Sequence, residues 1–372
     1  MLDEELIRKA FYKMRKGKTK RREIICIEKN LSIEIRSMRI MIKNTKPSDV
    51  TVDHPELAFK PIKHRPRMIM DAGKEREIYK PEIYELWLQH IIMQILGPII
   101  KNRAYIYSCG SMPKRGGHHG KKVIEKWIRD GEVKYFIKAD IRHFYKSIRI
   151  KIMMQYLRRI IADEWFLYII ELCFKWFDKG LPLGFYISQW LANYLLEPMD
   201  YAIARVEKHY LRYVDDIVIA GKNKKKLTKL LTRIRMCLGR WYRLRMKRNY
   251  QICRFDYEKS EKIIGRPIDM MGFVFYHNRT SFRKHTMIGA TRTARKIYKR
   301  VQENKPIYLK DARSMLSRLG WFSHTNTYDI YERYVKPFVR PKKLKRIISI
   351  SDRRKNNAGL EERSQCTPTI AA

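Results

Sequence analysis

The chain has 372 residues, 45% of them hydrophobic, and carries 81 Lys and Arg against 38 Asp and Glu, a formal net charge of +43. That apolar share supports a sizeable core split over two or three subdomains; a charge this lopsided repels itself unless a polyanion neutralises it, nucleic acid first and a membrane surface second. No run approaches eighteen apolar residues, the start MLDEELIRKAFYKMRKGKTKRR has no apolar signal core, and the six cysteines (Cys26, Cys109, Cys173, Cys237, Cys253, Cys366) form no CxxC pair, which speaks against a membrane span, a secretion signal, a zinc ribbon and a disulfide framework and leaves a cytoplasmic location by default.

In chain order, residues 1–60 are basic and partly helical, without a chemical motif. Between 61 and 139 come Pro and Gly breaks, a helical pattern in PEIYELWLQHIIMQILGPII and a glycine-rich basic loop, SCGSMPKRGGHHGKK. VKYFIKAD reads as an apolar strand ending in acid, and IRHFYKSI as a helix start. A helix is predicted near 150–177, then the turn DKGLPLG, then a longer helix from about Ser188 to Val206 that Pro198 kinks or divides. HYLRYVDDIVIAG follows as a hairpin, then a basic helix over 223–240, a strand pair around 244–254 and the strand DMMGFVFY. Residues 283–338 read as helices with exposed Lys and Arg, and the basic, polar tail over 341–372 as disordered in its last half. No internal repeat is visible.

The hairpin poses the chemical question. Asp215 and Asp216 stand side by side between two apolar runs, in a chain otherwise crowded with cations. Two ionised carboxylates that close repel each other and are costly to desolvate. A solvated acidic turn is the plain alternative, but Asp-Asp is not the usual hairpin turn chemistry. Asp140, at the end of YFIKAD, adds a third acid that can converge on the same place. Three carboxylates around two Mg2+ ions, about 3.5–4 Å apart, stabilise the attacking and leaving oxygens of a phosphoryl transfer, and Mg2+ shares its remaining positions with water and substrate phosphates.

In this order and spacing, IKADIRHFYKSI, YVDD and IDMMGFVFY resemble three palm motifs of reverse transcriptases, over roughly Lys74 to Phe338. The resemblance implies an α/β (α+β) right-hand polymerase, with fingers over 61–139 and a segment around 150–180, a palm over 140–279 and a thumb over 280–340. It implies attack of a primer 3′-hydroxyl on the α-phosphate of a deoxynucleoside triphosphate, on an RNA template, with Mg2+ (two ions) held at Asp140, Ile141, Asp215 and Asp216. Tyr145 matches the aromatic that excludes a 2′-hydroxyl, with a core aromatic as the alternative. Lys74 and Arg76 match the finger cations that grip the triphosphate, and alternation puts both on one side of a strand. Lys247 matches the proton donor to the leaving pyrophosphate, with Arg245 and Arg248 adjacent. Tyr213 and Gly272 match positions beside the template and primer.

GLPLGFYISQWLANYLL departs from most of the family. Leu183-Gly184 stands where Gln-Gly is usual, and Ser188-Gln189 where Ser-Pro is usual. This is similar to reverse transcriptases of diversity-generating retroelements. Gly184 is expected to let the backbone approach the nascent base pair, and Ser188 and Gln189 to cap the next helix and touch the template. That subtype implies error-prone copying at template adenines for mutagenic retrohoming. It also implies a ribonucleoprotein of template RNA, RNA/cDNA hybrid and a small helical, oligomeric accessory variability protein, with no membrane, in a bacterium or phage host. A group II intron- or retron-type enzyme and a non-catalytic RNA-binding protein of the same fold remain alternatives. His118 and His119 read as a flexible basic loop facing RNA phosphate rather than as metal ligands, and Trp321 as either a core or a template-stacking aromatic.

Overall fold

A computed structural model describes residues 1–71 and 73–361. It opens with three helices, α1 (Glu4–Arg15), α2 (Arg22–Lys29) and α3 (Leu31–Asn44). Asp3 caps α1 by accepting a hydrogen bond from the Glu5 N–H at 2.9 Å, with acids in the first turn and bases in the last, as the helix dipole favours. Ile7, Ala10, Phe11 and Met14 recur at helical spacing and are buried, packing on α4 (Ile83–Arg103). There the Trp87 indole donates to the Ile7 carbonyl at 3.0 Å. By length and composition α4 is apolar enough to cross a membrane, which the sequence reading missed; it is mostly buried between α1 and α9 (Tyr186–Leu195). Ahead of it, β1 (Arg67–Asp71) and β2 (Lys74–Ile78) form a hairpin.

The centre is a five-stranded sheet in the order β3 (Ser108–Cys109), β5 (Tyr210–Tyr213), β6 (Asp216–Gly221), β4 (Tyr135–Asp140), β7 (Gln251–Arg254), antiparallel except for β3 beside β5. Alternation sends Ile217, Ile219, Ile137 and Ala139 into one apolar cluster and Val218, Ala220 and Phe136 into another. The sheet is therefore covered on both faces, which is why IVIA carries no polar residue. α9, α10 (Glu197–Val206) and α11 (Lys224–Tyr242) lie over the first face, and α5 (Gly117–Arg129) over the second. α9 and α10 are the predicted long helix, divided with Pro198 in the first turn of α10, where its missing N–H costs nothing.

Four expectations change. The helix near 150–177 is two, α7 (Ile150–Leu157) and α8 (Glu164–Leu172), because Asp163 starts a new helix by accepting from the Phe166 N–H at 3.0 Å. A short α6 (Phe144–Ser147) precedes them. The strand pair around 244–254 does not pair with itself: Met246 bridges Ile141, and β7 pairs with β4. DMMGFVFY is a hairpin, β10 (Ile268–Met270) and β11 (Phe273–Phe275), because Met271 and Gly272 take φ of 56° and 85° in a two-residue turn. The tail over 341–361 is helical, α15 (Pro341–Glu361), and Leu344 is buried against the preceding helices; residues 362–372 lie outside the described residues, with Cys366 among them.

The remaining elements are a hairpin of β8 (Tyr257–Lys259) and β9 (Lys262–Ile264), then β12 (Thr280–Phe282), which completes a three-stranded sheet with β10 and β11. The helices α12 (Lys284–Gln302), α13 (Leu309–Phe322) and α14 (Tyr328–Tyr334) share a third apolar cluster with α15, built on Phe282, Ala290, Ala294, Met315 and Leu344.

Candidate active site

The β4–β6 register places Asp140 directly opposite Asp216. Facing residues of an antiparallel pair project to the same side, with Cβ atoms about 4.5–5.5 Å apart. Asp215 occupies the turn between β5 and β6, and its carbonyl accepts from the Ile141 N–H at 3.1 Å. The three predicted aspartates thus meet at one end of the central sheet, half-buried. Burial raises Asp216 to about 6, helped by the charges of Asp215 and Asp140. Burial and Asp140 likewise raise Asp215, opposed by Lys247 and Arg76. The site holds negative charge that the fold alone does not neutralise.

One oxygen of Asp140, Oδ1, is buried without a hydrogen-bond partner. The other, Oδ2, accepts from Lys247 Nζ at 2.6 Å, and the Lys247 N–H donates to the Asp140 carbonyl at 2.8 Å. A buried orphan carboxylate oxygen beside two further carboxylates fits a hard divalent cation. Among the described residues no group of three His, Cys, Asp or Glu side chains is ready-made to hold a metal ion.

Other predicted residues gather around these acids. Arg76, exposed on β2, lies within electrostatic reach of Asp215; Lys74 is exposed at the start of the same strand, opposite Asp71 in register. Lys146 reaches across to Glu77 and ties that hairpin to α6. Tyr145 is half-buried, and burial with the Asp215 charge raises its phenol to about 12. The Tyr145 carbonyl accepts from the Leu181 N–H at 2.8 Å, bringing the loop of Leu183 alongside. Tyr213 ends β5 next to the acid turn, and burial raises its phenol.

Several expectations at the site are corrected. Gly184 is exposed, with φ +109°, and a Cβ there would lie 2.1 Å from the Tyr79 carbonyl oxygen just past β2, where the Tyr79 N–H also donates to the Leu183 carbonyl at 2.7 Å. Ser188 is fully buried inside α9, two residues past its start, so it neither caps that helix nor faces a template; Gln189 beside it is exposed. Gly272 is covered by Trp321, which would sit 2.6 Å from a Cβ there. Trp321 itself is partly buried and packs on Phe273 and Phe282 between two apolar clusters. His118 and His119 belong to the first turn of α5, with His118 against His324 at 4.3 Å between ring centroids. That stretch is helix rather than loop because the amphipathic run through Ile124 and Trp127 buries one face.

The sequence reading passed over Arg212, which is fully buried beneath the acid turn. Its signal was position: in HYLRYV a cation sits where both neighbours and the strand pattern demand burial.

The family model described as reverse transcriptase (RNA-dependent DNA polymerase) matches residues 72–275. The chain belongs to the reverse transcriptase family and has its mixed helix-and-sheet, right-hand polymerase fold. Two curated relatives are Escherichia coli proteins. Protein YkfC (strain K12) is 23% identical over 166 residues, 41% of either chain. Retron Ec73 reverse transcriptase is 29% identical over 179 residues, 43% of this chain and 53% of that one. The chain spans about half the length, or less, of the curated relatives it matches. Among solved structures, telomerase from Candida albicans with a TWJ fragment of telomeric RNA aligns at TM-score 0.43 and 13% identity, over 82% of this chain and 61% of that one. Apo telomerase from Candida tropicalis aligns at TM-score 0.41 and 13% identity, over 57% and 47%.

Proposed function

We propose that this protein is an RNA-directed DNA polymerase that copies a template RNA into cDNA. The observation that carries the reading is the register of Asp140 with Asp216 beside Asp215, with the Asp140 Oδ1 atom buried and unpartnered. Asp140, Asp215 and Asp216 would hold Mg2+, with the backbone at Ile141 beside them. When bound, Mg2+ neutralises charge on the phosphoryl oxygens during transfer. The primer 3′-hydroxyl releases its proton to solvent, its oxygen bonds to the α-phosphorus of a deoxynucleoside triphosphate, and the bond from that phosphorus to the pyrophosphate oxygen breaks. The protein's part is positioning and charge. Arg76 and Lys74 hold the triphosphate from the fingers hairpin, Tyr145 closes on the sugar, and Lys247 Nζ, next to Asp140 Oδ2, delivers a proton to the leaving oxygen.

In this reading the fingers cover 61–139 and a segment near 150–180, the palm 140–279 and the thumb 280–340. The Leu183-Gly184 and Ser188-Gln189 pattern supports the diversity-generating subtype, with error-prone copying at template adenines and a small helical, oligomeric accessory protein as partner in a bacterial or phage-encoded cytoplasmic particle. A retron-type enzyme is the second reading, favoured by the 29% identity to the retron protein. The test is extension of a DNA primer on an RNA template with Mg2+. Wild type is expected to extend, and Asp215→Asn to lose nearly all product, since such sites act as a unit. Equal extension by both removes the carboxylate assignment, and no extension by wild type leaves an RNA-binding protein.

A further inference from the structure

The strand that delivers the acid turn contains a full positive charge with no access to water. Arg212 is 0% exposed. Its Nε donates to Asp200 Oδ1 at 2.8 Å and Nη2 to Asp200 Oδ2 at 2.6 Å, a bidentate pair. Nη1 donates to Asn193 Oδ1 at 3.0 Å and to the Val214 carbonyl at 2.8 Å. Nη2 also reaches Ser108 Oγ at 2.8 Å and the Asn193 carbonyl at 3.3 Å. The guanidinium's fork of N–H donors is thus fully used. The Tyr210 hydroxyl, at 2.6 Å, completes the shell of Asp200.

Such a pair is a poor source of stability. Desolvating two ions offsets their attraction, and apolar replacements of similar volume are often neutral or better. What the arrangement supplies is geometry, and the bond that stands out is the one to Val214. Val214 has φ +59°, a left-handed conformation that is a true outlier for a β-branched residue. It persists only while its surroundings hold it. Three backbone bonds do so: the Val214 N–H to the Cys109 carbonyl at 3.1 Å, the Arg212 guanidinium to the Val214 carbonyl, and the Ile141 N–H to the Asp215 carbonyl at 3.1 Å. Gly110 provides the room, since a Cβ there would stand 2.8 Å from Val214 Cγ2. Asn193 ties both sides together, accepting from Arg212 and donating to the Gly110 carbonyl at 3.0 Å.

We propose that Arg212 is a positioning residue for the acid turn: its guanidinium, oriented by Asp200 and Asn193, fixes the strained Val214 peptide and thereby sets how tightly the three carboxylates bind divalent cations. The proposal rests on the polymerase reading for its catalytic consequence, but its cation-binding consequence does not. Arg212 touches no acid of the trio; it acts through the backbone between Val214 and Asp215. A lysine keeps the charge and loses the fork, so one point donor must choose between Asp200 and the turn.

The experiment uses the full chain, as wild type, Arg212→Lys, Asn193→Ala and Trp87→Phe. The last removes a buried hydrogen bond in the α1–α4 packing and controls for simple destabilisation. Mn2+ binding is followed by electron paramagnetic resonance without nucleic acid or nucleotide. Extension is then measured across a Mg2+ titration, together with primer–template affinity. For Arg212→Lys, a misplaced turn predicts Mn2+ binding weakened at least about fivefold and kcat lowered by as much as about a hundredfold, as an error near 1 Å costs in a positioned site. Primer–template affinity stays within about twofold, because the phosphate contacts are elsewhere. Asn193→Ala shifts the same quantities less, and Trp87→Phe lowers only the melting temperature. Unchanged Mn2+ binding in Arg212→Lys, or an equal shift in Trp87→Phe, overturns the proposal. If Arg212→Lys does not fold, Asn193→Ala decides by the same criterion. A wild type that binds Mn2+ but does not extend would sink the polymerase reading and leave the Mn2+ comparison intact.

Discussion

At the scale of single residues, the three aspartates were legible because each sits where backbone geometry can be read from letters: a strand end and a hairpin tip. Their mutual repulsion has a measurable consequence. Asp216 is raised to about 6, first by burial and then by its acidic neighbours, so at neutral pH its ionised form opposes folding when no divalent cation is present. Asp216→Asn is therefore expected to raise the melting temperature in chelator while abolishing extension; a lower melting temperature would mean that the carboxylate is structurally required. Gly184 makes the opposite case. Gly184→Ala places a Cβ 2.1 Å from the Tyr79 carbonyl at a positive φ, so it should destabilise by more than the about 1 kcal/mol of an ordinary glycine replacement and loosen the β1–β2 hairpin. Thermal denaturation reads the first effect, and the KM for nucleotide the second. On the proposed function, Leu183→Gln would place a donor and an acceptor beside the nucleotide. On the diversity-generating reading it lowers misincorporation at template adenines roughly tenfold to a hundredfold, the selectivity carried by about 1–3 kcal/mol of hydrogen bonding; sequencing cDNA from both proteins checks it. Ser188 is polar yet fully buried in α9, and Arg212, which carries no motif of its own, is buried in β5; neither is legible from the letters alone, because burial there comes from packing between elements distant in sequence.

At the scale of elements, the sequence reading did well where a single period dominated. α4, α11 and the helices after residue 283 were visible as amphipathic or apolar runs, and Pro198 marked the α9–α10 break. It failed where apolar residues continue through a turn. In DMMGFVFY the turn is Met271-Gly272, and hydrophobic letters on both sides disguise two strands as one. It also failed at 341–361, where Lys and Arg outnumber apolar residues and hide the stripe of Leu344, Ile347 and Ile348 that packs onto the preceding helices. Leu344 is 1% exposed, and Leu344→Ala should cost about 2–5 kcal/mol within that helical cluster. Because this cluster is distinct from the two that cover the central sheet, hydrogen exchange should quicken in α13 and α15 and stay unchanged in β4 and β6. Faster exchange throughout would mean that the clusters unfold as one.

At the scale of the whole molecule, a net charge of +43 is the broadest statement the chain makes, and composition alone revealed it. If about six phosphates are neutralised, RNA affinity should fall by about a thousandfold or more between 50 and 200 mM salt, as released counterions lose their entropic advantage. Filter binding across a salt series measures the slope, and a flat response would mean that the cations serve something other than a polyanion. Alternation along β4, β5 and β6 could not reveal the five-stranded order, since strands covered on both faces lose their polar phase. That same coverage matters before the molecule is complete. β4 lies inside the sheet, yet its two neighbours are supplied only by residues 216–221 and 251–254. At about 5–20 residues per second, a ribosome exposes this apolar strand with both edges bare for several seconds before β6 emerges to cover one of them. The segment that ends in Asp140 is thus an apolar strand exposed with unpaired edges during synthesis, a state in which it can pair with another chain.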